Sequence, residues 1–389
     1  MPGRHFLFVP GPTNVPDRIL NALHVAMEDH RSSAFPALWR SIAPQLARLF
    51  GTAHGRPFVF PGTGTGGWEA ALTNVLSPGD RVLAPRAGQF SHLWIELARQ
   101  LGFEVEVLDC EWGTGAPVDR IEAALQADHA HAIKALLIVH NETATGVTSD
   151  VAAVHRAQVA TRHPSLLLVD SVSGIGSLDF RMDEWGVDVA VTGSQKGLML
   201  PAGLAILCAA PRALEAGAMA TSRRAYFDFA AAAQSNDQGY FPYTPSAPML
   251  RGLRESLAML LDEEGMPAVV ARHHRLAEGV RRAVAAWGLK LCAREPRWHS
   301  DTVSTVLTPD TVDARAVISR AFDRYDLSLG AGLGPLAGKA FRIGHLGDLN
   351  ELMLHGALAG VEMALRDCGV ALAPGSGVAA AEEYWRHGA

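Results

Sequence analysis

The chain has 389 residues, 48% of them hydrophobic and 19% charged, with a formal net charge of -6 at pH 7. At about 100–200 residues per domain this length implies two or three domains, and so large an apolar fraction excludes wholesale disorder. The acidic balance lacks the basic footprint of a nucleic-acid binder.

The opening segment Met1–Pro10 holds one arginine and a short apolar run, Phe6–Val9, too brief for a signal-peptide core. No later stretch approaches the roughly 20 apolar residues of a membrane span. From about residue 55 to 210, strand-length apolar runs alternate with longer amphipathic stretches. The runs are Pro57–Phe60, Arg81–Ala84, Val105–Leu108, Ala135–Val139, Leu166–Val169, Val187–Val191 and Leu204–Leu207. Several are continuously apolar, as strands buried on both faces are. Between them Gly67–Leu76, Phe90–Leu101 and Val151–Thr161 read as helices, which predicts a doubly wound α/β fold with a mostly parallel seven-stranded sheet. From Pro248 the pattern turns helical to about Trp287. A smaller α+β set follows, with strands at Leu289–Leu291 and Val303–Leu307, a helix at Ala314–Tyr325 and a closing helix over Asn350–Cys368. The predicted division is an arm (1–15), a large domain (16–264) and a small C-terminal domain (265–389).

The four cysteines, Cys110, Cys208, Cys292 and Cys368, lie far apart, with neither C-x-x-C nor zinc-knuckle spacing. The expectation is a soluble protein of the reducing cytoplasm, and the ending Arg386-His387-Gly388-Ala389 is not a Ser-Lys-Leu peroxisomal address. The pair His273-His274 reads as a solvated helix face rather than a metal pair, because adjacent helical residues do not face each other.

Four segments carry candidate chemistry. Gly62-Thr63-Gly64-Thr65-Gly66-Gly67 follows a strand and opens a helix, where glycines let backbone N–H groups approach an anion. It fits a phosphate cradle. A dinucleotide site also needs an acid at the end of the next strand, which here ends Ala84-Pro85-Arg86, and a plain tight turn is the remaining reading. Asp170 ends the apolar run Leu166–Val169, and a buried carboxylate there demands a protonated ring nitrogen, an arginine or a metal, unless it merely caps the following turn. Lys196 ends Thr192-Gly193-Ser194-Gln195-Lys196-Gly197. A lysine among apolar groups loses pKa and becomes a nucleophile toward carbonyls; an exposed lysine is the bland alternative. The whole chain offers only four lysines, Lys134, Lys196, Lys290 and Lys339. Arg342, between Phe341 and Ile343, suits a substrate carboxylate bidentately, or else forms a structural ion pair.

A phosphate loop, a strand-end aspartate and, 26 residues later, a strand-end lysine together describe a pyridoxal phosphate site. The chain resembles the class V, fold-type I pyridoxal-phosphate aminotransferases, and most of all their serine–glyoxylate and alanine–glyoxylate branch. The resemblance rests on Val9–Asn14, Gly62–Glu69, His140–Val147, Asp170–Ser173, Gly193–Lys196 and Phe341–Gly347, in order along almost the whole chain. The runs His140–Gly146 and Arg181–Gly186 resemble the bacterial serine–glyoxylate members.

The resemblance implies that Lys196 bonds to the cofactor as a Schiff base and shuttles the substrate proton, while Asp170 keeps the pyridine nitrogen protonated. It places Val172 and Phe90 on the two ring faces and Thr143 near the ring hydroxyl. Gly64, Thr65 and Gln195 hold the phosphate with Thr244 of a neighbouring subunit, and Arg342 takes the substrate α-carboxylate. It also implies a homodimer acting on small amino and keto acids, with L-serine giving hydroxypyruvate as glyoxylate becomes glycine, and with aspartate or alanine as alternative donors. One departure stands out: members of the family carry a tyrosine three residues before the phosphate-binding threonine, where this chain has Phe241, so the hydroxyl contact to phosphate is either lost or supplied by Tyr240 or Tyr243. A desulfurase or other lyase would share Asp170 and Lys196 but needs a reactive cysteine on a mobile loop. A nicotinamide oxidoreductase would rest on the glycine loop alone, and a noncatalytic ligand-binding protein would leave Lys196 without a purpose.

Overall fold

Apolar runs buried on both faces dictate a sheet covered by helices on each side, and the computed structural model, which describes residues 3–387, has that architecture. Its strands are β1 (Phe6–Phe8), β2 (Arg56–Gly62), β3 (Arg81–Arg86), β4 (Glu104–Asp109), β5 (Ile133–Val139), β6 (Asn141–Glu142) and β7 (Val147–Thr148). There follow β8 (Leu166–Asp170), β9 (Val189–Gly193), β10 (Gly203–Ala209), β11 (Lys290–Leu291), β12 (Val303–Leu307), β13 (Leu327–Ala331) and β14 (Ala340–Gly344). The large sheet has seven strands in the order β2-β10-β9-β8-β5-β3-β4. Neighbouring strands are parallel except around β10, which runs antiparallel to both β2 and β9. Along β8 the residues alternate between two cores, Leu166 and Leu168 facing one and Leu167 and Val169 the other. That alternation leaves Asp170 as the first polar position, at the strand's carboxyl end.

The second sheet has the order β1-β13-β14-β12-β11. The N-terminal arm supplies its edge strand β1, parallel to β13. Arg342 lies at the centre of β14, paired with Thr305 on one side and Gly330 on the other. The helix Met266–Ala286 and a final helix, Ser376–His387, back this sheet. That last helix lies beyond the element expected to close the chain. Its buried positions Gly377, Ala381 and Trp385 fall four residues apart on one face, Gly279 leaves room for the Trp385 ring, and Trp385 Nε1 donates to the backbone oxygen of Arg275 at 3.0 Å.

The expected solvated face at His273-His274 is correct for only one of the two. His274 is exposed, but His273 is fully buried, because the helix turns it toward the segment after β14. Its Nδ1 donates to Val269 O at 2.7 Å while Nε2 accepts Gly347 N–H at 3.1 Å, so the neutral ring pins the end of the Arg342 strand. Among the described residues there is no helix long and apolar enough to cross a membrane and no His, Cys, Asp and Glu grouping able to hold a metal.

Burial holds His273 at a pKa of about 4, below the ordinary ~6.5. As the pH falls from about 6.5 toward 4 the unfolded chain takes up a proton that the folded ring refuses, so this group's contribution to stability is lost on acidification. His273→Gln is expected to flatten the slope of unfolding free energy between pH 6 and 5 by about 1 kcal/mol per pH unit. An unchanged slope in urea titrations would show that the folded ring protonates freely.

Candidate active site

Loops at the carboxyl ends of the parallel strands, where open α/β sheets place ligands, enclose a cavity of ≈ 370 Å³. Eight of the residues expected to bind cofactor line it together: Gly64, Thr65, Phe90, Thr143, Asp170, Val172, Gln195 and Lys196. They come from five separate loops of the large sheet, which is why no local pattern contains them all.

Asp170 and Lys196 follow adjacent strands, with Asp170 registered against Val191 of β9. Asp170 is buried, and its Oδ1 accepts Val172 N–H at 2.8 Å. Burial pushes its pKa up to about 7, against the Val172 N–H, while the Glu142 charge adds to the rise and Lys196 opposes it. Lys196 moves the other way. Burial, helped by the Arg342 charge, brings its amine down to about 8, so an unprotonated nucleophile is accessible near neutral pH.

The N-terminal arm lies directly on this lysine. Lys196 Nζ donates to Pro10 O, and Thr13 N–H and Oγ1–H donate to the backbone oxygens of Gln195 and Lys196, each at 3.2 Å. Gly11 has φ +108°, and a Cβ there would fall on the Lys196 amine. The resemblance of Val9–Asn14 to the family was visible in sequence, but its placement over the lysine was not, because nothing in a short loop reveals which distant residue it covers.

The glycine loop has two uses. Gly64 opens the helix Gly64–Val75, whose first N–H groups have no partner within the helix and can meet an anion. Close packing is the other use: a Cβ at Gly64 would lie 2.6 Å from Val172 Cγ2, and one at Gly67 2.5 Å from Val191 Cγ1.

Glu142 was missed as a functional position. Buried between Asn141 and Thr143, its carboxylate accepts the N–H groups of Phe90 at 3.1 Å, Ser91 at 3.0 Å and Ala144 at 3.2 Å. It thereby fixes the start of the helix Gln89–Gln100 and the Phe90 ring, and burial raises its own pKa. Beside it, Thr143 and Ser173 share a hydroxyl hydrogen bond of 2.8 Å, and Asn141 Nδ2 donates to Ser173 Oγ at 2.8 Å and Thr302 Oγ1 at 2.9 Å. These residues tie the cavity wall to β12.

Arg342 stands behind that wall. Its Nε donates to Ala331 O at 2.8 Å and its Nη1 to Thr143 O at 3.2 Å, and burial lowers it to about 10. Among the described residues no carboxylate pairs with it, and backbone oxygens rather than the structural ion pair weighed from sequence receive its N–H groups. Thr244 is exposed and does not line the cavity of its own chain. Phe241 packs on Trp39 and Phe35, the Tyr240 hydroxyl donates to Ser32 O at 3.2 Å, and the exposed Tyr243 donates to Ala225 O at 3.1 Å. Trp68 lines the cavity as well.

The sequence profile of the class-V aminotransferases matches residues 5–332. A serine–glyoxylate aminotransferase of Methylorubrum extorquens is 57% identical over 390 residues, covering 99% of this chain and 97% of that protein. An L-aspartate–glyoxylate aminotransferase of Paracoccus denitrificans is 50% identical over 386 residues, covering 99% and 97%. The crystal structure of a ureidoglycine–glyoxylate aminotransferase from Bacillus subtilis superposes with a TM-score of 0.91 at 27% identity, over 100% of this chain and 99% of that one. The chain therefore belongs to the class-V aminotransferase family and is a pyridoxal-phosphate-dependent aminotransferase.

The residues present fit that cofactor. The cavity joins a helix N-terminus to a buried carboxylate and a largely buried amine. All four thiols are raised by burial, Cys292 to about 11, so none is an activated nucleophile of the kind a desulfurase requires.

Gly11→Ala is expected to cost about 1–3 kcal/mol, since it forces a side chain into a left-handed backbone and onto Lys196. Urea unfolding measures it; an unchanged midpoint would show that the arm is free to move off the lysine.

Proposed function

We propose that the protein transfers the amino group of L-serine to glyoxylate, giving hydroxypyruvate and glycine. The observation that carries the donor class is the charge inventory of the site. Apart from Lys196, no residue lining the cavity carries a positive charge, and Arg342 behind its wall is the guanidinium whose charge reaches Lys196. One substrate carboxylate therefore has a counter-ion within this chain and a second has none, which favours a neutral donor over aspartate. The 57% identical relative that bears a serine–glyoxylate name supports the same reading.

Pyridoxal phosphate, when bound, supplies an aldehyde that receives the donor's amine and a protonated ring that draws electrons from the substrate's α-carbon. The chain's own residues do the rest. Lys196 would tether the cofactor and move the proton at the substrate α-carbon; its lowered pKa suits both tasks. Asp170 would hold the proton on the ring nitrogen, because burial makes its carboxylate seek a cationic N–H. Val172, Phe90 and Thr143 would hold the ring, and Gly64, Thr65 and Gln195 would hold the phosphate at the helix N-terminus. Arg342 orients the α-carboxylate of donor and acceptor in turn, giving a ping-pong cycle. Thr244, exposed in its own chain, completes the phosphate site of a second subunit, which makes the working unit a homodimer. Four unpaired cysteines accord with a cytoplasmic setting.

A donor panel with glyoxylate as acceptor tests the assignment. Serine is expected to exceed aspartate in kcat/KM by roughly 100-fold, the scale of leaving one carboxylate without a partner in a buried site. Preference for aspartate would overturn the donor while leaving the roles of Lys196 and Asp170 standing.

A further inference from the structure

Among the described residues, two polar side-chain atoms lining the cavity are buried without a hydrogen bond of normal geometry, Gln195 Oε1 and Trp68 Nε1. A buried indole N–H with nothing to donate to is costly, and Trp68 is only 3% exposed. Its position is not adjustable. Trp68 sits in the first turns of the helix Gly64–Val75, where Gly64 and Gly67 seat the backbone against Val172 and Val191, and its ring stacks on Trp94 at 5.9 Å and 20°.

The acceptor within its reach is the Asp170 carboxylate, whose ionised form the Trp68 N–H favours. Asp170 has one firm backbone donor, Val172 N–H on Oδ1. A carboxylate this deeply buried is driven toward its neutral form, and a neutral acid cannot hold a proton on a ring nitrogen.

We propose that Trp68 is a positioning residue for the cofactor site: its indole N–H is the side-chain donor that orients the Asp170 carboxylate and keeps it ionised opposite the ring nitrogen. This rests on the cofactor reading above and adds a residue to it. Tryptophan here serves as a rigid donor in an apolar wall. It delivers one N–H without bringing water or a second charge into the cavity.

Trp68→Phe removes the N–H and keeps an aromatic ring on Trp94. Trp94→Phe removes a similarly buried, unpartnered N–H from the other ring of the stack and serves as the control. The measurement is retention of pyridoxal phosphate by the purified holoenzyme after dialysis between pH 5 and 9, read from the absorbance of bound cofactor, with circular dichroism to verify folding. Without its donor Asp170 protonates at higher pH. Trp68→Phe is therefore expected to move the acid limb of cofactor retention upward by about one pH unit and to weaken retention at neutral pH about ten-fold, while Trp94→Phe tracks the wild type. Coincident curves for Trp68→Phe and wild type would overturn the proposal, as would equal shifts in both variants, which would trace the effect to ring packing. A wild-type protein that retains no pyridoxal phosphate would overturn the cofactor reading itself, and this inference with it.

Discussion

A carboxylate and an amine held out of water at the ends of two adjacent parallel strands set the terms for everything around them. Asp170 and Lys196 each lose hydration on folding, and each is shifted toward its neutral form, one to about 7 and the other to about 8. Such groups are tolerated only where the scaffold over-determines their position and a ligand repays the cost. The seven-stranded sheet meets the first condition, since apolar side chains on both faces of β8 and β9 leave those strands no freedom to slip. In the proposed reading the cofactor's aldehyde and ring nitrogen would meet the second condition at the amine and the acid.

Other parts of the molecule serve that pair from a distance. Glu142 fixes the start of the helix that carries Phe90. The arm of residues 10–13 covers Lys196 and continues from β1, the edge strand of the second sheet. Arg342 reaches the site from the centre of that same sheet through the Thr143 oxygen, and the neutral ring of His273 secures the segment that follows it. The small sheet is thus tied through Arg342 to the wall of the cavity built on the other sheet.

Much of this was legible in the sequence, for identifiable physical reasons. Strands buried on both faces appear as continuous apolar runs, so all seven strands of the large sheet could be located. A polar residue ending such a run, as at Asp170, or a lysine in a chain poor in lysine, as at Lys196, announces chemistry directly. Features that depend on long-range packing were not legible. His273 is buried because of what the rest of the fold places against one side of its helix, and the helix Ser376–His387 has a buried face of small residues, Gly377 and Ala381, that ends in Trp385 packed against Gly279. Nothing in the sequence marks Trp68, whose ring packs as core while the residue also lines the cavity. Thr244 is exposed on its own chain, and its proposed role lies with a second subunit.

The central claim is that one amine, at position 196, carries the cofactor. Borohydride reduction of the purified holoenzyme followed by peptide mapping tests it most directly. The account predicts a single pyridoxyl-modified peptide containing Lys196, with Lys134, Lys290 and Lys339 unlabelled. A label on any of those three, or none on a protein that shows bound cofactor, would contradict it.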